Sequence, residues 1–109
     1  MRQVMVRYTV KPDEAEQNRE LVRAVYEELR DTNPSGMHYA TFQLDDGVSF
    51  IHLHSSDSED GAKVLPNLPA FQRFQAGIAD RCVEGPVVTE LLEVGSFRPC
   101  VSGSPALHT

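Results

Sequence analysis

Val4, Val6, Tyr8 and Val10 alternate with Met5, Arg7 and Thr9, a period-two pattern that predicts a strand with one strongly apolar face. Lys11-Pro12-Asp13-Glu14 then opens a helix, since Pro suits a first turn and acids suit the positive end of the helix dipole. Ala15, Asn18, Leu21, Val22, Val25 and Leu29 recur at three- and four-residue spacing, which predicts an amphipathic helix of about five turns. Arg23 and Glu27 are spaced for an ion pair on its surface. Asn33-Pro34-Ser35-Gly36 ends it, because the residue before Pro is driven out of helical geometry.

The stretch Met37 to Ser55 reads as two strands joined at Asp45-Asp46-Gly47, where Gly accepts a positive φ without a Cβ clash. Two registers stay open. With Asp46-Gly47 as a two-residue loop, Ala40, Phe42 and Leu44 share a face with Ser49, Ile51 and Leu53, and Tyr39 and Thr41 share the other with Phe50, His52 and His54. With a three-residue loop, His38, Ala40 and Phe42 join Phe50, His52 and His54 instead, because a one-residue slip exchanges faces. Neither register leaves a face that looks solvated.

Ser56 to Lys63 is polar and irregular, with room for a short helical turn. Pro69 fits the first turn of a second helix whose buried stripe is Leu68, Phe71, Phe74, Ile78 and Cys82, with Gly77 inside it as a point of close approach and Gly85-Pro86 as its stop. Val87 to Phe97 is the expected fourth strand, and Leu91 and Leu92 put apolar groups on both its faces. The order β-α-β-β-α-β predicts an α+β, ferredoxin-like domain over residues 1–98: a four-stranded antiparallel sheet with two helices on one face. Residues 99–109, with Cys100 among them, read as a flexible tail. The second face of the sheet would carry Met5, Arg7, Leu91 or Leu92 and one apolar set from the hairpin, which points to a symmetric homodimer packed sheet to sheet.

Composition narrows the function classes. A net charge of −6 without a basic cluster argues against nucleic acid or an anionic membrane as partner. No apolar run is long enough to span a bilayer and no signal-peptide pattern opens the chain, so a cytoplasmic location is the default expectation. Cys82 and Cys100 form no metal or redox motif, and no phosphate loop, dinucleotide fingerprint or nucleophile motif is present. His52 and His54 project from one face of a strand. Two histidines want a third ligand to hold a metal, which His38 offers in only one register, so no metal site is assigned. Either histidine is a better acid or base near neutral pH than any other side chain in the chain. Against this stands the plainer reading of both as interface or cavity-lining imidazoles with ordinary hydrogen bonds. Asn18, the one polar residue on the first helical stripe, either binds a ligand oxygen or bonds neighbouring backbone.

The first strand MVRYTV, the helix opening KPDEAEQN, the hairpin strand FIHLHS and above all NLPAFQRFQAGI resemble the dimeric α+β barrel superfamily, and within it antibiotic biosynthesis monooxygenase-like proteins, over about residues 2 to 98. The resemblance implies a homodimer with a small-molecule pocket between sheet and helices in each subunit. It also implies cofactor-independent oxygenation of aromatic or polyketide-like compounds as one activity. The pattern of the haem-degrading members is not met: the chain has no Trp, and their iron-binding His would fall near Ala70. The expected site therefore has His52 and His54 as catalytic residues, with Asn18, His38, Tyr39, Phe71 and Phe74 binding a small organic substrate and no cofactor. The alternative is a non-catalytic dimeric protein that binds a ligand, or one with a role in stress.

Overall fold

The computed structural model describes residues 2–97; the expected tail at 99–109 and Cys100 lie outside the described residues. Strand β1 runs from Arg2 to Val10, helix α1 from Ala15 to Thr32, β2 from Met37 to Gln43 and β3 from Ser49 to Ser56. The short helix α2 (Glu59–Ala62), α3 (Pro69–Ala76) and α4 (Ile78–Arg81) precede β4 (Cys82–Leu91). Spatial order is β2-β3-β1-β4, with every pair antiparallel, as expected of a ferredoxin-like sheet.

Local chemistry explains the boundaries. A 3-10 turn at Pro12–Glu14 leads into α1, and Asn33 closes that helix in the left-handed conformation with its N–H on the Leu29 carbonyl at 2.7 Å. On the surface of α1, Arg23 pairs with Glu20 rather than with Glu27, and Arg19 pairs with Glu16. Glu28 of the same helix accepts the backbone N–H of Ala70 at 2.8 Å, so one helix caps the start of another.

The hairpin takes the first of the two registers: Tyr39 faces His54, Thr41 faces His52 and Gln43 faces Phe50. Asp46 decides it. Its carboxylate accepts the N–H groups of Val48 (2.9 Å) and Ser49 (2.8 Å) and the Ser49 hydroxyl (2.7 Å), while Gly47 turns at φ 80°. Those bonds also hold the Asp46 carboxyl below its usual pKa, because they favour the ionised form. Val4, Val6, Tyr8 and Val10 therefore share the inner face with Phe50, His52 and His54, beneath the helices. The core is built there from Tyr8, Val10, Val22, Val25, Phe50, Leu65, Leu68, Ala70 and Phe74.

Two expectations need correction. The second helix is shorter than predicted: it breaks at Gly77 and ends at Arg81, and Cys82 is the first residue of β4 rather than part of a helical stripe. Gly85-Pro86 lies inside β4, where the register against β1 shifts between Arg7 and Thr9. β4 is an edge strand, and an edge with a bulge is where a sheet tolerates a residue without an N–H. The strand ends at Leu91, ahead of the predicted limit at Phe97.

Gly36 and Gly61 meet where β2 begins. A Cβ on Gly61 would stand 1.9 Å from the Gly36 carbonyl oxygen, which is itself held at 2.8 Å by the Asp57 N–H. Backbone, not a flexible side chain, is in the way. Gly61→Ala is therefore expected to destabilise the protein by about 1–3 kcal/mol, read as a lower denaturation midpoint; an unchanged midpoint would refute the contact.

Candidate functional site

A cavity of about 260 Å³ lies between the inner sheet face and the helices. Val4, Val6, Leu65, Phe71, Phe74 and Val88 make it mainly apolar, and Arg2, Tyr8, Tyr39, His52, His54, Ser56 and Gln75 supply polar groups. Large apolar walls with a few convergent polar groups are the usual form of a small-molecule site.

Strand alternation puts His52 and His54 on the same wall. Their surroundings then make them different. His52 is 4% exposed, and both ring nitrogens are engaged: Nε2 lies 2.8 Å from the Tyr8 hydroxyl, and Nδ1 lies 2.6 Å from Tyr39 Oη and 3.2 Å from Thr41 Oγ1. Burial disfavours the imidazolium and pushes the pKa of His52 down to about 4. His54 is half-buried. Its Nε2 is shielded from solvent and has no hydrogen-bond partner among the described residues. Burial lowers its pKa too, with a smaller contribution from the nearby Arg2 charge.

Tyr8 is 2% exposed and stacks on Phe50 at 5.5 Å between ring centres. Its hydroxyl accepts from Asn18 Nδ2 at 2.8 Å, and Asn18 Oδ1 accepts from Arg81 Nε at 3.1 Å. At the other end, Thr41 Oγ1 and the Tyr26 hydroxyl are 2.8 Å apart. Burial raises the pKa of all three tyrosines, that of Tyr26 to about 12, so each stays protonated at neutral pH.

The structure brings His52, His54, Tyr39, Phe71 and Phe74 together at this cavity. Asn18 does not line it; the side chain is completely buried, with both ends of its amide held by protein. His38 is on the opposite sheet face from His52 and borders a wider, open depression of about 730 Å³ along β2. Sequence reasoning passed over Arg81, Thr41 and Tyr26. A signal for Arg81 was available: it stands seven residues after Phe74 and three after Ile78, on the stripe that faces the core.

No protein-family model matches the chain, and no curated protein matches it. Solved structures do. An antibiotic biosynthesis monooxygenase superposes with a TM-score of 0.72 at 18% identity, over 87% of this chain and 100% of the other. Rv0793 from Mycobacterium tuberculosis gives 0.70 at 18% identity, over 87% of this chain and 96% of its own. PA3566 from Pseudomonas aeruginosa gives 0.70 at 19% identity, over 86% and 94%. The chain is thus an α+β ferredoxin-like protein with the fold of antibiotic biosynthesis monooxygenase structures, as the sequence resemblance implied. Among the described residues no helix is long and apolar enough to cross a membrane.

A pH dependence follows from His52. Its folded pKa is depressed, from 6.5 to about 4. Below pH 6.5 the unfolded chain takes up a proton that the folded chain refuses, so stability falls as pH drops towards 4. The loss amounts to about 3 kcal/mol at about 1.4 kcal/mol per pH unit. Glu16 and Asp46, whose folded pKa values are also lowered, lose their contributions only at lower pH, as the carboxylates protonate. Urea denaturation of the parent and His52→Gln between pH 7 and 4.5 measures this; equal slopes for the two proteins would contradict it.

Proposed function

We propose that the cavity binds a small aromatic or polyketide-like molecule and that the protein is a cofactor-independent monooxygenase acting on it, as a homodimer. The observation that carries this reading is a mainly apolar cavity whose wall holds the co-facial His52 and His54 together with Tyr39, His54 keeping an Nε2 without a hydrogen-bond partner among the described residues. His54 accepts a proton from a phenol or an acidic carbon of the bound molecule, and Tyr39 hydrogen-bonds the resulting oxyanion. His52 supports the wall and is the weaker candidate for base, since its nitrogens are both occupied and burial keeps it neutral. The electron-rich anion reacts directly with O₂. For an acidic methylene, one oxygen atom becomes the new carbonyl and the other leaves as water, with the substrate supplying the electrons and protons. Phe71, Phe74 and Leu65 keep water out of the chamber. The fold shared with a solved antibiotic biosynthesis monooxygenase supports the reaction class.

The dimer is supported by the outer face of the sheet. Phe42 (53% exposed), Val87 (62%) and Leu91 (40%) stand there with Ile51 and Leu53. Light scattering at micromolar concentration is expected to give twice the 12.1 kDa of one chain; a monomer would remove this part of the reading.

Anthrone, whose methylene is acidified by two flanking rings, is a suitable probe for an oxygen electrode. The parent protein is expected to consume one O₂ per anthrone oxidised, and His54→Ala to be slower by about 100-fold or more. Equal rates for the two would exclude His54 as base. Anthrone-induced stabilisation without oxygen uptake would favour instead a binding protein that does not turn its ligand over.

A further inference from the structure

Arg81 is 6% exposed, and among the described residues no carboxylate pairs with it. Its Nε donates to Asn18 Oδ1, its Nη2 donates to the Phe74 carbonyl at 2.9 Å, and its guanidinium carbon lies 5.2 Å from the centre of the Phe74 ring. Gly77 leaves room for it: a Cβ there would stand 3.0 Å from Nη1. A guanidinium has donors only. That one fact gives the whole chain of hydrogen bonds a direction.

Because Arg81 must donate, Asn18 presents its oxygen to Arg81 and its NH₂ to Tyr8. Because the Tyr8 oxygen then receives, its own proton goes to its other partner, His52 Nε2. A neutral imidazole that accepts at Nε2 carries its proton on Nδ1. Nδ1–H therefore donates to Tyr39 Oη, with Thr41 Oγ1 as the more distant acceptor. The Tyr39 oxygen has now received a hydrogen bond, and its own proton is left to give away.

We propose that Arg81 is a positioning residue: by holding His52 in the Nδ1–H tautomer it makes the Tyr39 hydroxyl a hydrogen-bond donor of the cavity, matched to a ligand that presents a carbonyl or phenolate oxygen beside His54. The ligand half of this statement rests on the function proposed above. The tautomer half belongs to the empty protein and stands or falls without any turnover.

Long-range proton–nitrogen NMR of the ligand-free protein at pH 7 reads whether each ring nitrogen of His52 is protonated or bare. The parent is expected to show a protonated Nδ1 and a bare Nε2. In Asn18→Asp the amide becomes a carboxylate of the same size that can only accept. Tyr8 then gives its proton to that carboxylate and accepts from His52, so the tautomer is expected to reverse to Nε2–H. In Arg81→Met the Asn18 amide is free to turn, and the two tautomers are expected to mix, with averaged nitrogen shifts. A bare Nδ1 in the parent overturns the proposal. So does an unreversed tautomer in folded Asn18→Asp, or an unchanged one in folded Arg81→Met, since a merely structural Arg81 would lower the melting temperature and leave the imidazole as it was. Should both variants fail to fold, the parent spectrum alone decides. A protein with the expected tautomers and no oxygen uptake would refute the monooxygenase reading and keep this one.

Discussion

A fully buried amide has to be satisfied at both ends, and here that requirement organises the interior. Asn18 on α1 could not sit at zero exposure unless its oxygen met a donor and its NH₂ met an acceptor. Arg81 and Tyr8 provide them. Each then needs something further: Arg81 a carbonyl, which Phe74 gives, and Tyr8 an acceptor, which His52 gives. His52 and Tyr39, two of the polar residues that line the cavity, are thus the far end of a chain of obligations that begins deep in the core. A half-satisfied network in such surroundings would cost more than an apolar core.

The sheet divides the molecule into two faces of different character. The inner face combines aromatic rings and hydrogen-bonding groups, with Tyr8, Phe50, Tyr39, His52 and Phe74 in ring contact. The outer face is simpler: Met5, Ile51, Leu53, Phe42, Val87 and Leu91, interrupted by Arg7 and His38. The inner face has chemistry and a chamber; the outer one offers area. This division is why a single strand, β3, can serve a candidate catalytic wall with His52 and His54 and an apolar exterior with Ile51 and Leu53.

Much of the fold was legible because strand and helix periods are strong signals where one face is buried. Val4 to Val10 and Ala15 to Leu29 are such stretches, and both elements formed as read. The hairpin register was not legible from hydrophobicity, because neither register leaves a face that looks solvated; the hydrogen bonds that Asp46 accepts from Val48 and Ser49 settle it. The end of the second helix was misplaced because Gly85-Pro86 carries the same local signal for a helix stop and for a bulge in an edge strand. His52 and His54 were visible as a co-facial pair, but their inequality was not. That depends on Tyr8, Tyr39 and Thr41 arriving from two other strands. Arg81 was passed over because an arginine on a helix is ordinarily a solvated charge, although its spacing from Phe74 and Ile78 put it on the core-facing stripe.

Pro86 bears on how copies of this chain can meet. β4 forms one border of the sheet, and a neighbouring strand laid along it would encounter a missing N–H and an irregular stretch between Glu84 and Val87. Continuous lateral extension of the sheet is therefore blocked midway along that border. Growth into fibrils by strand addition is discouraged on this side.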